Sequence, residues 1–324
     1  MNSLPTLLAK INDFAASHPF PDAPRALYEP CDYVLALGGK RLRPALLLMG
    51  YELFRDDVDR ALAPAWAVEL FHNFTLMHDD IMDAAPLRRG QPTVHTRWNT
   101  TTGILSGDVM LIYTYRFLAA FDDAGALPDL IRTFNRVATE VCEGQQLDID
   151  FETRADVSLP EYIRMIELKT AVLLGGALEM GARCAGAGRS DAECLYAFGR
   201  LAGIAFQIQD DLLDTYGDPA KFGKQVGGDI LQNKKTFLVL KALETASAAD
   251  RDALRHWMQT GPDEPGKVEA VRALFDRNGI PALVAAEQRW FQTEAFRQLD
   301  RVGVPDARKA AIRGVVEELF VREH

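Results

Sequence analysis

Three observations predict an all-α fold. Apolar residues recur every three or four positions over long stretches, short alternating runs rich in Val, Ile and Thr are almost absent, and Ala, Leu, Glu, Arg and Met supply much of the chain. The helical period runs through residues 61–81, 104–120, 130–149, 162–180 and 195–213. Gly, Pro, Ser and Asn interrupt it at 38–39, 85–86, 125–128, 158–160, 186–190, 217–228, 260–266, 278–279 and 303–305. None of these breaks reads as an interdomain linker, so residues 1–324 are expected to form one domain. From about Thr236 the pattern reads as shorter amphipathic helices without a cluster of catalytic residue types, which suggests scaffolding. No repeat of fixed length is present.

A hydrophobic content of 48% is that of a folded globular protein. The longest apolar runs, such as 44–51 and 171–178, fall well short of the roughly 20 residues that span a bilayer. The opening Met1-Asn2-Ser3-Leu4-Pro5 lacks the basic and apolar regions of a secretion signal, so a soluble, cytoplasmic protein is expected. Cys31, Cys142, Cys184 and Cys194 are isolated in sequence and are expected to be buried thiols. The net charge of -10 disfavours a nucleic-acid surface. Basic residues nevertheless gather as Lys40, Arg41 and Arg43, as Arg88 and Arg89, and as Lys221, Lys224, Lys234 and Lys235. That distribution suits small anionic ligands, although any one pair is equally readable as a solvated helix end.

One pattern recurs about 130 residues apart: Asp79-Asp80-Ile81-Met82-Asp83 and Asp210-Asp211-Leu212-Leu213-Asp214. Each closes a long apolar helix, and at about 100° per residue its three aspartates fall within one arc. Like charges one turn apart repel, and the negative end of the helix dipole adds to the repulsion, so helix energetics do not favour this placement. A hard divalent cation does, because Mg²⁺ is held by one or two carboxylates together with substrate phosphates. A single cluster is as readily a solvated surface. Two clusters, with Phe206, Ile208, Ile81, Met82, Leu212 and Leu213 around the charges, point to a cavity wall. The glycine and alternating ligands of an EF-hand are missing.

A diphosphate also needs cationic donors. Lys40 and Arg43 lie three apart beside a helix start marked by Pro44, where free N–H groups add to anion binding. Arg88 and Arg89 follow Pro86 and can fold back toward the first cluster, or can form an exposed turn. Lys169-Thr170 interrupts an apolar run, and a buried lysine calls for an anionic partner. Gln207 precedes Asp210 by one turn, near Gly199 and Gly203, which would leave room for a ligand. The glycine-rich stretch from Gly223 to Asp229 lacks Walker order. On a helical wheel His72 falls on the side of Asp79, whereas His78 is about 100° away and reads as a packing residue. The pair His78-Asp79 also occurs in HD-type phosphohydrolases, but the further histidine ligands they need are missing.

The chain resembles the trans-isoprenyl diphosphate synthases. The resemblance rests on GGKRLRP at 38–44, ELFHNFTLMHDDIMDAAPLRRGQPTVH at 69–95, ILSGD at 104–108, GQQLDI at 144–149, ELKTA at 167–171, FQIQDDLLD at 206–214 and GKQVGGDILQNKKT at 223–236. It implies a single large orthogonal helical bundle around a central cavity, the isoprenoid synthase fold, acting as a homodimer. It implies about three Mg²⁺ ions per site when an allylic diphosphate is bound. Asp79, Asp83 and Asp210 would bind the metal, with Asp80, Asp211, Asp214 and Asp229 adding ligands or supporting hydrogen bonds. Arg88, Lys169, Lys224 and Lys234 would contact the allylic diphosphate, and Lys40, Arg43, His72 and Arg89 the isopentenyl diphosphate. Lys169, Thr170 and Gln207 would lie nearest the reacting carbon. Ionisation, attack by the isopentenyl double bond and proton loss would follow. Phe71, Phe74 and Thr75, upstream of Asp79, would form a floor that sets product length and looks most like that of C20 geranylgeranyl synthases, with farnesyl, C25 and longer products as alternatives. A terpene cyclase would not need the second cationic set, and a non-catalytic subunit would not need both acidic motifs.

Overall fold

The computed structural model describes residues 1–217 and 227–321. Its helices are α1 (Leu4–Ser17), α2 (Arg25–Ala36), α3 (Leu42–Glu52), α4 (Leu62–Met82), α5 (Val94–Arg97), α6 (Thr100–Ala119), α7 (Leu127–Thr153), α8 (Leu159–Ile166), α9 (Val172–Cys184), α10 (Arg189–Tyr216), α11 (Gly228–Leu231), α12 (Phe237–Thr245), α13 (Ala248–Trp257), α14 (Lys267–Arg277), α15 (Ile280–Asp300) and α16 (Asp306–Val321). A 3₁₀ turn precedes α4 at Val58–Ala61, and a wide π-type turn, Glu167–Ala171, joins α8 to α9. The only strands among the described residues are β1 (Leu87–Arg88) and β2 (Gln91–Pro92). The all-α expectation therefore holds, and each of the five long periodic stretches lies largely in helix.

Local chemistry starts these helices. Ser3 and Asn99 accept N–H bonds at the starts of α1 and α6, Thr236 does so at α12, and Ser158 with Glu161 forms a reciprocal cap ahead of α8.

The chain forms two compact units. The first comprises residues 1–136, 176–196 and 302–312. Its core helices are α3, buried at every position from Pro44 to Glu52, and the first half of α4, buried from Pro64 to Phe71. Helices apolar on all sides belong inside a core, and α4 packs there against α1, α3 and α6. The C-terminal part of α9 crosses α3 at backbone distance. A Cβ on Gly181 would lie 2.0 Å from the Leu47 carbonyl oxygen, and one on Gly50 would lie 2.5 Å from that of Leu178.

The second unit comprises residues 137–175, 197–301 and 313–324. Phe198, Leu201, Ile204, Ala205 and Ile208 make the buried side of α10, and α12 buries Phe237 to Leu240 against α8 and α15. The wide turn is gripped from two sides: a Cβ on Gly144 of α7 would lie 2.1 Å from the Lys169 amide nitrogen, and one on Gly203 of α10 would lie 2.7 Å from Ala171. Gly203 thus serves helix packing rather than ligand space.

Two further expectations change. Helix α15 has 21 residues, as many as α4, but shows only a narrow buried strip through Ile280, Val284, Gln288, Phe291, Ala295 and Leu299, which blurs its period in sequence. Of the four cysteines, Cys142 is exposed, because it lies on the solvent side of α7. No described helix is long and apolar enough to cross a membrane.

Gly181→Ala should lower stability by about 1–3 kcal/mol, because the added methyl group meets backbone that cannot swing aside. Denaturant unfolding measures this, and an unchanged midpoint would show that the α3–α9 contact relaxes freely.

Candidate active site

In the first unit, α4 carries Asp79 and Asp80 in its last turn and ends on Asp83. Chain reversal follows at once. Leu87 pairs with Pro92 and Arg88 with Gln91, across a two-residue turn in which Arg89 and Gly90 have φ of 54° and 74°. The reversal carries Arg88 back over the acids. Its Nε donates to both Asp80 oxygens at 2.8 and 2.9 Å, and Nη2 lies 2.7 Å from Asp80 Oδ1 and 3.3 Å from Asp79 Oδ2. Asp80 is buried, and burial pushes its carboxyl up from the usual range against the pull of Arg88. Asp83 is exposed.

A second cationic group lies one to three turns upstream along α4. Arg43, in the first turn of α3, donates Nη1–H to His72 Nε2 at 3.2 Å, and its buried Nε has no hydrogen-bond partner among the described residues. Burial, then Arg43, Arg89 and Arg88, holds the His72 imidazole well below its ordinary pKa. His72 is therefore a neutral acceptor at Nε2. Burial likewise lowers Arg43 to about 10, so it stays charged near neutral pH. Buried Glu69, held by Asn73 Nδ2 at 3.1 Å, balances Arg43 and Arg89 electrostatically. The Arg89 guanidinium lies on Gly39, where a Cβ would come within 2.9 Å of it. Lys40 is exposed on the same loop, at the edge of a cavity of about 400 Å³ that Leu8, Asn12 and Arg41 also line.

Farther down α4, buried Phe71 contacts Phe74 and Phe134 with ring centroids 5.7 and 5.2 Å apart, and Tyr115 closes on Phe134 at 5.2 Å. Thr75 donates its hydroxyl to the His72 carbonyl at 2.8 Å. His78 packs on Gly107 and bonds the Ile104 carbonyl at 3.1 Å, as expected of a packing residue.

In the second unit, Gln207, Asp210 and Asp214 are half-buried on α10 and Asp211 is buried. Tyr162 donates its hydroxyl to Asp211 Oδ2 at 2.5 Å, and the Phe237 N–H donates to the same oxygen at 2.9 Å. Burial pushes Asp211 up to about 7 against these two bonds, while Tyr162 is held well above its ordinary range and stays protonated. The Asp229 N–H donates to Asp214 Oδ2 at 3.0 Å, and Lys234 lies 3.3 Å from Asp229 Oδ1. Lys169 and Thr170 sit half-buried in the wide turn. The anionic partner anticipated for Lys169 is, in this structure, Asp148, with Nζ–Oδ2 at 2.6 Å. Lys224 lies outside the described residues.

Each cluster offers only carboxylate oxygens, the donor chemistry of Mg²⁺. No group of three or more His, Cys, Asp or Glu among the described residues is gathered to enclose an ion. Glu69, Asn73 and Asp148 lie within stretches that carry the resemblance but were given no role there, and Tyr162 lies outside them. Each acts through contacts that composition does not reveal.

A family model described as polyprenyl synthetase matches residues 24–275. The chain is 36% identical over 301 residues to the short chain isoprenyl diphosphate synthase of Methanothermobacter thermautotrophicus, covering 93% of this chain and 92% of that one. It is 41% identical over 228 residues to the geranylgeranyl diphosphate synthase of Methanosarcina mazei, covering 70% of each. A crystal structure of a geranylgeranyl pyrophosphate synthase matches with a TM-score of 0.95 at 43% identity, with 100% of each chain covered. These matches make the chain a prenyltransferase of the all-α isoprenoid synthase fold. It belongs to the polyprenyl synthetase family, among its short-chain trans-prenyltransferases, and the family is Mg²⁺-dependent in general.

Because burial and three neighbouring arginines hold its pKa well below the ordinary value, His72 should stay neutral across the range in which a free imidazole titrates. Imidazole NMR titration of the metal-free chain reads this, and an ordinary transition near 6.5 at His72 would contradict it.

Proposed function

We propose that this enzyme condenses isopentenyl diphosphate with dimethylallyl, geranyl and farnesyl diphosphates, ending chiefly at C20 geranylgeranyl diphosphate. The observation that carries the reading is the presence of two different cationic groups in one unit: Arg88 bound to the aspartates, and Arg43, Arg89 and His72 set apart from them. One diphosphate held beside metal and a second held by side chains is what a two-substrate condensation needs, and a terpene cyclase needs only the first.

In this reading Asp79, Asp83 and Asp210 hold Mg²⁺, while Asp80, Asp211, Asp214 and Asp229 add ligands or supporting bonds. Bound magnesium, about three ions, supplies Lewis-acid neutralisation of the allylic diphosphate. Arg88, Lys169, Lys224 and Lys234 bind its remaining oxygens. Lys40, Arg43, Arg89 and neutral His72 hold the other diphosphate. The allylic C–O bond breaks with its electron pair leaving on diphosphate, and the isopentenyl double bond forms the new C–C bond. A proton then passes to the released diphosphate. Lys169, Thr170 and Gln207 supply the polar groups nearest the cation, and apolar surroundings exclude water from it. Because the family-like motifs run from Gly38 to Thr236 without a linker, residues 1–324 act in this reading as one polyprenyl synthetase domain.

The exposed stripe Ile104, Ile112 and Tyr115 on α6, with Leu105 beside it, favours a homodimer, which sedimentation of the full chain would test. The absence of a spanning helix among the described residues and the negative net charge favour a cytoplasmic enzyme that does not bind nucleic acid.

D79A and D210A should each lose at least about 100-fold in turnover with circular dichroism preserved, since they remove charge rather than core volume. Full activity of the chelated wild type without added metal would overturn the metal role. The Phe71–Phe74 pair supports the floor assignment. F74A, and more deeply F71A, should therefore lengthen products while turnover is retained. Chromatography of dephosphorylated products reads the outcome, and an unchanged length in the double variant would place the floor elsewhere.

A further inference from the structure

The second aspartate cluster is held by an arrangement that its sequence motif does not contain. Asp210 and Asp211 are neighbours on α10, so their side chains diverge by about 100° and cannot serve the same point in space. Asp214 lies four residues beyond Asp210, nearly in line with it. Asp211 is the one turned inward, 4% exposed. One oxygen, Oδ2, takes both the Tyr162 hydroxyl from α8 and the first N–H of α12. The same N-terminus of α12 directly follows Lys234 and Lys235, and Lys235 Nζ donates to the Phe151 carbonyl at 2.6 Å near the end of α7. Two elements of the second unit thus converge on a single carboxylate oxygen, and a third, α7, holds Lys235 just ahead of the start of α12.

We propose that Tyr162 is a positioning residue and that Asp211 is its acceptor rather than a metal ligand. Together they fix the rotation of α10 so that Asp210 and Asp214 present their oxygens to Mg²⁺, and they fix the start of α12 so that Lys234 is presented to diphosphate. The inference rests on the metal and diphosphate reading above. It refines that reading by separating the aspartates that bind from the one that aims them. A hydroxyl and an amide need only an acceptor at Oδ2, so a neutral side chain oxygen satisfies both. A metal ligand at this position would require the negative charge.

The test is calorimetric binding of inorganic diphosphate with Mg²⁺ to the full chain, in which no turnover occurs. Tyr162→Phe removes one oxygen and little volume, and should weaken binding by about 10-fold, the scale on which outer-shell partners act. Asp211→Asn keeps the acceptor and should stay within about 3-fold of wild type. Asp210→Asn should weaken binding by about 100-fold or more. Thermal unfolding of each variant accompanies the titrations. In steady-state kinetics Tyr162→Phe should raise KM for the allylic diphosphate and leave KM for isopentenyl diphosphate unchanged, a split that general loss of structure would not give. Wild-type binding by Tyr162→Phe would overturn the proposal, and so would a loss in Asp211→Asn as large as that in Asp210→Asn. Should Tyr162→Phe fail to fold, the Asp211→Asn comparison still decides. Undiminished binding by Asp210→Asn would instead sink the metal reading on which the proposal stands.

Discussion

Carboxylates crowded at the negative end of a helix repel one another and the helix dipole, and both aspartate clusters must be held against that repulsion. Helical geometry decides how. In a D-D-x-x-D sequence the first and last side chains lie about 40° apart, and the second points about 100° away from the first. In each cluster that second residue is the buried one: Asp80 is only 2% exposed and Asp211 only 4%. The two are satisfied differently. Arg88 meets Asp80 with charge, while Tyr162 and a backbone N–H meet Asp211 with neutral donors. The first solution is electrostatically stronger, and the second fixes direction through two elements at once.

The cationic set around His72 obeys the opposite constraint. After burial, Arg89 adds to the lowering of Arg43 and Arg88 to that of Arg89, with Glu69 as the nearby balancing acid for both. This repulsion is tolerated because α3 and the hairpin place them from separate elements, and the neutral imidazole takes one donor without adding charge. In the proposed reading, an arriving diphosphate would remove the repulsion instead of creating a new demand for order, which is the advantage of a preorganised anion site.

Most of the fold was legible because long apolar helices announce themselves through their period. The acidic motifs were legible because their charge contradicts helix energetics. What escaped was set by contacts distant in sequence. Lys169 reads as a lysine in need of an anion, and its partner Asp148 sits 21 residues away on another helix. Gly203 reads as room for a ligand, yet it admits the backbone of Ala171. The fold-back of Arg88 toward the first cluster was legible at Pro86, but its bond to Asp80 depends on a six-residue hairpin too short to leave a strand pattern. Helix α15 hides behind a polar surface, and the exposure of Cys142 depends on which side of α7 meets solvent.

The wide turn at Glu167–Ala171 has a consequence for chain length in the segment that holds it. Tyr162 and Ala171 both face α10, the first at Asp211 and the second at Gly203. Nine residues apart on a regular α-helix, they would point about 180° from each other, and only one could face α10. One surplus residue absorbed in the bulge reduces the effective offset to eight positions, or about 80°, which matches the eight-residue spacing of Gly203 and Asp211 on α10. The segment between Tyr162 and Ala171 is therefore constrained by its count as much as by its composition. A one-residue deletion there would yield a regular helix that keeps both ends toward α10, whereas losing the bulge at the present count would turn one of them away.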